Sequence, residues 1–179
     1  MLVTHSAQDY SDAMHTAQLS ADLPFRFDIR DLQEVVETTR LADAVPLRLS
    51  ESQWDVFGGG LQGFGLAHGD VLIRQGSRDQ ALYFVEQGRL TVHLEDTTGQ
   101  ILLATIGPGS VVGEGAFFSH GPRTATAQAA SECRLWRLSP DSWAELSREQ
   151  PALALQVVTA LACVMARRMT HQMRRVAVT

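Results

Sequence analysis

Cysteine is scarce in the 179-residue chain: Cys133 and Cys163 stand thirty positions apart, without a CxxC spacing or a histidine companion. That excludes a disulfide framework and fits two free thiols in a reducing cytosol. Positive charge is in deficit as well, with 15 Lys+Arg against 20 Asp+Glu and a net charge of −5. No general basic surface therefore invites nucleic acid or an anionic membrane. The first twenty residues are polar and lack the apolar core of a signal peptide. No run approaches the length of a membrane span, so a cytoplasmic location without direct membrane insertion is the expectation. The histidines (His5, His15, His68, His93, His120 and His171) are scattered singly, with no HxH or HxxxH. A metalloenzyme on a β-roll would need two close histidines and a carboxylate. With no GxSxG elbow or Cys/His pairing either, the sequence points to no metal, no catalytic residue and no enzyme.

What remains is ordinary globular material, 45% hydrophobic and 20% charged, long enough for one domain with a sizeable core and extra helices. Residues 1–24 are mixed polar and read as a loose arm or a helix that docks elsewhere. Asp28 to Leu41 spaces Ile29, Leu32, Val35 and Val36 as one face of an amphipathic helix. Ser50 with Gln53 reads as a capping box opening a short helix through Trp54 and Phe57. Gly58–Gly63 matches GxGxxG, yet it follows a helical stretch and runs into strands. It is read as a connection and not as a dinucleotide fingerprint.

From Phe64 to Leu138 the pattern becomes short strands with frequent turns: 64–67, 71–75, 81–87, 90–95, 101–106, 110–112, 124–130 and 133–138. Asp96-Thr97-Thr98-Gly99 makes a hairpin link. About eight strands without intervening helices predict a mainly β, antiparallel jelly-roll barrel flanked by N-terminal helices and a long C-terminal helix. Ser139 with Pro140 opens a helix, and Glu149-Gln150-Pro151 breaks it. The last helix, from about Pro151 to Arg175, carries Leu155, Val158, Ala162, Met165, Met169, Gln172 and Val176 at alternating spacings of three and four. That seam predicts pairing with a second copy. The basic residues Arg167, Arg168, Arg174 and Arg175 read as a helix end favoured by its dipole. The organisation is an arm and helix over 1–44, a barrel over 45–150 and a terminal helix over 151–179.

The meander breaks once for a helical turn, in Gly113-Glu114-Gly115-Ala116-Phe117-Phe118-Ser119-His120-Gly121-Pro122-Arg123-Thr124-Ala125. An acid and an arginine nine residues apart flank a glycine-rich turn. A helical turn through Ala116–Ser119 exposes amide N–H groups that favour a phosphate. Arg123 offers a bidentate fork for phosphate oxygens. Glu114 has the wrong sign for phosphate and suits a sugar hydroxyl. The competing reading is a surface Glu114–Arg123 ion pair of less than about 1 kcal/mol.

This stretch resembles the phosphate-binding cassette of cyclic nucleotide-binding domains, the modules of catabolite activator-type regulators, cyclic nucleotide-dependent kinases and gated channels. His68-Gly69-Asp70-Val71-Leu72-Ile73-Arg74-Gln75-Gly76 resembles a strand of that family. Ala81-Leu82-Tyr83-Phe84-Val85-Glu86-Gln87-Gly88 is similar to another, and the resemblance covers roughly Val45 to Arg168. It implies that Arg123 contacts the cyclic phosphate and Glu114 the ribose. Gly113, Gly115 and Ala116 would supply backbone contacts, Thr124 a hydroxyl and Ala125 room beside the phosphate. Val112, Leu103 and Val111 would line the sugar and base, and the region of Met165 and Arg168 would cap the base.

Gly115 departs from the larger apolar residue common there, which implies a looser turn. The ligand implied is cAMP or cGMP, with no further cofactor. The implied partners are a second copy through the C-terminal helix and an effector protein. The sequence is also similar to modules appended to bacterial sulfate permease-type transporters. Since no helix-turn-helix follows within the sequence, DNA binding by this chain alone is not expected. The alternative is a degenerate domain that keeps the fold and binds a protein partner instead of a nucleotide.

Overall fold

The structure, a computed structural model, describes residues 26–97 and 99–176, with side chains as far as Thr170. The expectation for the arm over 1–24 and the roles given to Gln172, Arg174, Arg175 and Val176 lie outside the described side chains.

Helix α1 (Ile29–Thr38) starts at Asp28, whose carboxylate accepts the Arg30 amide at 3.0 Å. Helix α2 (Glu51–Gly59) opens on the expected capping box, in which Ser50 and Gln53 each satisfy the other's backbone N–H. The glycine run then ends α2 and leads into β1 (Leu61–Leu66), as a connection should. Seven more strands follow: β2 (Val71–Ile73), β3 (Leu82–Gln87), β4 (Leu90–Asp96), β5 (Gly99–Ile106), β6 (Val111–Val112), β7 (Thr126–Ala129) and β8 (Cys133–Leu138). They form two antiparallel sheets in the orders β1-β8-β3-β6 and β2-β7-β4-β5, a jelly-roll arrangement. Helix α3 (Glu114–Ser119) interrupts the strands between β6 and β7, and α4 (Pro140–Glu149) and α5 (Pro151–Val176) close the chain.

Side-chain alternation along β3 divides the interior into two cores. Tyr83 and Val85 point between the sheets with Phe64, Leu90, Val112 and Leu135. Leu82 and Phe84 point to the helices, against Trp54, Phe57, Trp136, Leu153, Val157 and Leu161. A strand covered on both faces carries a continuous apolar run, which is why Leu82–Val85 shows no polar alternation. Val111 belongs to the helix-side core, and the next residue, Val112, to the core between the sheets.

Glu86 lies on the helix side of the same strand and is 5% exposed. Trp136 Nε1 donates to it at 2.6 Å, and Arg134 Nε lies 2.7 Å from its other oxygen. Arg134 in turn covers the Phe27 ring at 5.1 Å and donates to the Arg26 carbonyl, fastening the segment before α1. Phe27 packs so closely that a Cβ on Gly63 would lie 2.4 Å from its ring. Burial raises the Glu86 carboxyl above the usual range, against the opposing pull of Trp136 and Arg134. Because the folded-state value is raised, the contribution of this group is present in acid and is lost as pH rises through that value. Glu86→Ala leaves the indole N–H and the guanidinium without their acceptor. It is expected to lower the unfolding free energy by about 2–4 kcal/mol in urea denaturation, and Glu86→Gln by less.

Helix α5 is apolar on two faces. Leu153, Ala154, Val157, Ala160, Leu161 and Val164 are buried on the domain. Leu155, Ala162 and Met169 are exposed, with Val158 and Met165 half-buried. The seam read from sequence is therefore the outer face, and a separate stripe packs inward. Double-sided apolarity also corrects the expectation about membrane-length runs. Pro151–Thr170 is long and apolar enough to cross a membrane by length and composition, although 33% of its 18-residue apolar window is buried in the fold.

Candidate functional site

Strand β6 pairs with β3, placing Val112 opposite Tyr83 and delivering the chain to Gly113 at the sheet's edge. There the backbone turns through φ +100° into α3, which ends at His120 with φ 53°. The apolar side of this short helix fixes it. Phe117 meets Trp143 of α4 edge-on at 5.3 Å and Phe118 at 5.1 Å. Helix α3 includes Gly115, which is exposed in its first turn.

After α3 the chain crosses to the loop between β2 and β3. The Arg123 amide donates to the Ser77 carbonyl at 2.8 Å, and the Gly76 amide donates to the Arg123 carbonyl at the same distance. This two-bond zipper turns the Arg123 side chain inward, where it is 3% exposed. Its Nε and Nη2 donate to the two oxygens of Asp79 at 2.9 and 2.7 Å. Nη2 also donates to the Ala81 carbonyl at 2.7 Å, and Nη1 donates to the Gly113 carbonyl at 2.8 Å. A bidentate carboxylate and two carbonyls thus hold the fork at the start of α3.

Glu114 follows Gly113, so the acid and the arginine converge on one turn. They do not pair with each other, which rules out the simple ion-pair reading. Glu114 instead accepts from Nη1 of Arg168 on α5. The same guanidinium grips Asp43, between α1 and α2, through Nε at 2.9 Å and Nη2 at 2.6 Å, and donates to the Val111 carbonyl at 2.8 Å. Arg167 adds a bond to the Ala44 carbonyl at 3.1 Å. Burial alone would lower the Arg168 pKa; the hydrogen bond to Asp43 and the charge of Glu114 outweigh it and hold the group firmly cationic. Arg167 and Arg168 are therefore anchors for α5 and not merely charges favoured by a helix end.

The other candidate residues are distributed around this centre. Gly115 is exposed and Ala116 buried in the first turn of α3, where a helix leaves its amides without intrahelical partners. Thr124 is exposed, Ala125 is half-buried, and Thr126 starts β7 by accepting the Gln75 amide at 3.1 Å. Val112 faces the interior between the sheets, whereas Leu103 is half-buried on β5. The Tyr83 phenol, also in that interior, is raised by burial and then by Asp79. A shallow groove lined by Gly88, Arg89, Thr91, Thr105, Pro108, Ala130 and Ser131 shares no residue with the cassette.

Sequence reasoning missed Asp79 and Asp43. Asp79 answers the question of which carboxylate neutralises an arginine buried this deeply. Asp43 has no such signal, because its partner lies 125 positions away.

Residues 65–150 match the family model described as the cyclic nucleotide-binding domain. Over 73 residues the chain is 40% identical to a cAMP-dependent protein kinase regulatory subunit of Eremothecium gossypii, covering 41% of this chain and 15% of that protein. Among solved structures, a cyclic nucleotide-binding domain from Methylobacillus flagellatus superposes with a TM-score of 0.73 at 19% identity, over 83% of this chain and 84% of that one. The Thermus thermophilus catabolite activator protein superposes with a TM-score of 0.64 at 27% identity, over 73% and 60%.

Proposed function

Since residues 65–150 belong to the cyclic nucleotide-binding domain family, we propose that this chain is a regulatory sensor that binds cAMP or cGMP in the loop Gly113–Ala125. The observation that carries this reading is the convergence of Arg123 and Glu114 on one turn, with the guanidinium on the Gly113 carbonyl and the carboxylate on the next residue. Arg123 then takes the cyclic phosphate, assisted by the amides of Gly115 and Ala116, while Glu114 accepts a ribose hydroxyl. Thr124, beside the arginine, reaches phosphate or base. Ala125 leaves room, and Val112 and Leu103 bound the sugar side. Arg168, on α5, reaches the Glu114 carboxylate, and with Met165, three residues earlier on that helix, it caps the base. The module binds rather than transforms its ligand and reports through the terminal helices to a partner protein. The outer stripe of α5, with Leu155, Ala162 and Met169 exposed, supports pairing with a second copy. The location in keeping with this role is the cytoplasm.

One observation favours a second reading, a domain that keeps the fold and binds a protein in place of a nucleotide. Four hydrogen bonds within the protein already occupy Arg123, so a phosphate must displace Asp79 to take the fork. Calorimetric titration with cAMP and cGMP separates the two. Binding at micromolar concentration or tighter is expected, weakened at least tenfold in Glu114→Gln through loss of a charged hydrogen bond worth about 1.5–3 kcal/mol. Absence of heat with either nucleotide, in folded and ligand-free protein, would leave the scaffold reading.

A further inference from the structure

Resting on the nucleotide-sensor reading, we infer that Arg137 is a further phosphate contact, a second cationic arm that meets the ligand from the interior between the sheets. Strand register places it. Arg137 on β8 stands opposite Gln62 of β1 on one side and Tyr83 of β3 on the other, and Tyr83 stands opposite Val112 of β6. Cross-strand partners share a face of the sheet, and Tyr83 and Val112 belong to the core between the sheets. The row therefore puts an arginine on that interior face, two strands from Val112, after which Gly113 and Glu114 open the cassette.

Nothing in the packing accounts for a cation there. Arg123 is matched by Asp79, Arg134 by Glu86 and Arg168 by Asp43 and Glu114. Among the described residues no carboxylate pairs with Arg137. Its Nε is shut off from solvent and meets no hydrogen-bond acceptor among the same residues. A half-buried cation on an apolar face is costly unless an anion answers it. The charges at the cassette point the same way. Two cations, Arg123 and Arg168, face three carboxylates, Asp43, Asp79 and Glu114, an excess of the wrong sign for a phosphate. Arg137 balances it. Burial and Asp79 raise the Tyr83 phenol, and Arg137 and Arg123 lower it, so both guanidinium groups bear on one hydroxyl. A cyclic phosphate has two exocyclic oxygens; Arg123 takes one, and Arg137, beside the Tyr83 hydroxyl, takes the other.

Two effects of opposite sign separate this role from a structural one. Arg137→Met keeps the stem and removes the charge. Replacing a half-buried cation that lacks a carboxylate by an apolar side chain should raise the urea midpoint, whereas loss of a structural arginine would lower it. The same variant should bind nucleotide about tenfold or more weakly in calorimetry. Arg137→Lys should fall between, since an ammonium keeps the charge and loses the planar fork. The second readout uses the two phosphorothioate diastereomers of whichever of cAMP and cGMP wild type binds more tightly, each with sulfur at one exocyclic oxygen. Both should bind wild type more weakly than the parent nucleotide does. In Arg137→Met one of the two should lose that penalty and the other keep it. Affinity of Arg137→Met within about twofold of wild type, or an affinity loss with both sulfur penalties unchanged, would remove Arg137 from the phosphate while leaving the sensor reading intact. If wild type binds neither nucleotide, the sensor reading fails and this contact fails with it.

Discussion

Replacing Arg123 with alanine is expected to weaken cAMP or cGMP binding by tens to thousands of fold and to destabilise the fold as well. The binding loss follows from the desolvated setting: a buried charged partner removed from such a pair typically costs about 2–5 kcal/mol. The stability loss follows from what Arg123 leaves behind. Asp79 would lose both of its charged donors, and the carbonyls of Ala81 and Gly113 would lose theirs. Breaking a buried ion pair from one side costs about 3–5 kcal/mol. With the Asp79 side chain 30% exposed, water relieves part of that, and about 3 kcal/mol is the expected loss in urea denaturation. Arg123→Lys should recover part of the stability and little of the binding, because an ammonium cannot serve two Asp79 oxygens and two carbonyls in one plane. Nucleotide affinity within threefold of wild type in folded Arg123→Ala would remove Arg123 from the phosphate site.

Asp79 gives that experiment a partner. If a phosphate competes with Asp79 for the fork, Asp79→Asn should raise nucleotide affinity and lower stability. A scaffold that never binds nucleotide would show only the stability change. The two effects are read from the same preparations, by calorimetry and by denaturation.

The parts of the fold legible in the sequence are those fixed by local chemistry. The Ser50–Gln53 capping box, the Ser139–Pro140 helix start and the break at Pro151 each fall where expected, because caps and prolines act within one turn. The eight strands emerge because β turns and apolar runs alternate at short range. Glu114 and Arg123 were singled out by the resemblance of their stretch to the family's cassette, and the structure brings both to Gly113. What sequence could not supply is pairing across distance. Nothing local to Glu114 indicates that it meets Arg168, or that Arg123 meets Asp79. Val111 and Val112 are chemically alike, and only the register of β6 on β3 sends them to different cores. Helix α5 misled in a different way. Its outer seam was visible because it repeats by three and four, while the inner stripe of Leu153, Val157, Leu161 and Val164 was hidden in the same apolar run.

Gly113→Ala tests the turn on which all of this converges, with an expected loss of about 3 kcal/mol or more of stability and of most nucleotide binding. Two costs act at once. With φ at +100° the residue occupies backbone space that an L side chain rarely enters, worth on the order of 1–3 kcal/mol. A Cβ there would also lie 2.7 Å from Arg123 Nη1 and 2.8 Å from the Ala81 carbonyl oxygen. The carbonyl belongs to the chain entering β3 and cannot give way cheaply, so the guanidinium moves or the turn opens. Either response breaks the Nη1 bond to the Gly113 carbonyl and shifts Glu114, one residue on, away from its seat. Gly115→Ala, two positions later, is the control for stability. No atom lies within 4 Å of its Cβ position and its φ is ordinary, so helix α3 should gain up to about 1 kcal/mol. Urea denaturation of the two variants side by side should therefore give changes of opposite sign. Equal behaviour would mean that Gly113 does not anchor the arginine, and that the acid and the cation are set by some other part of the loop.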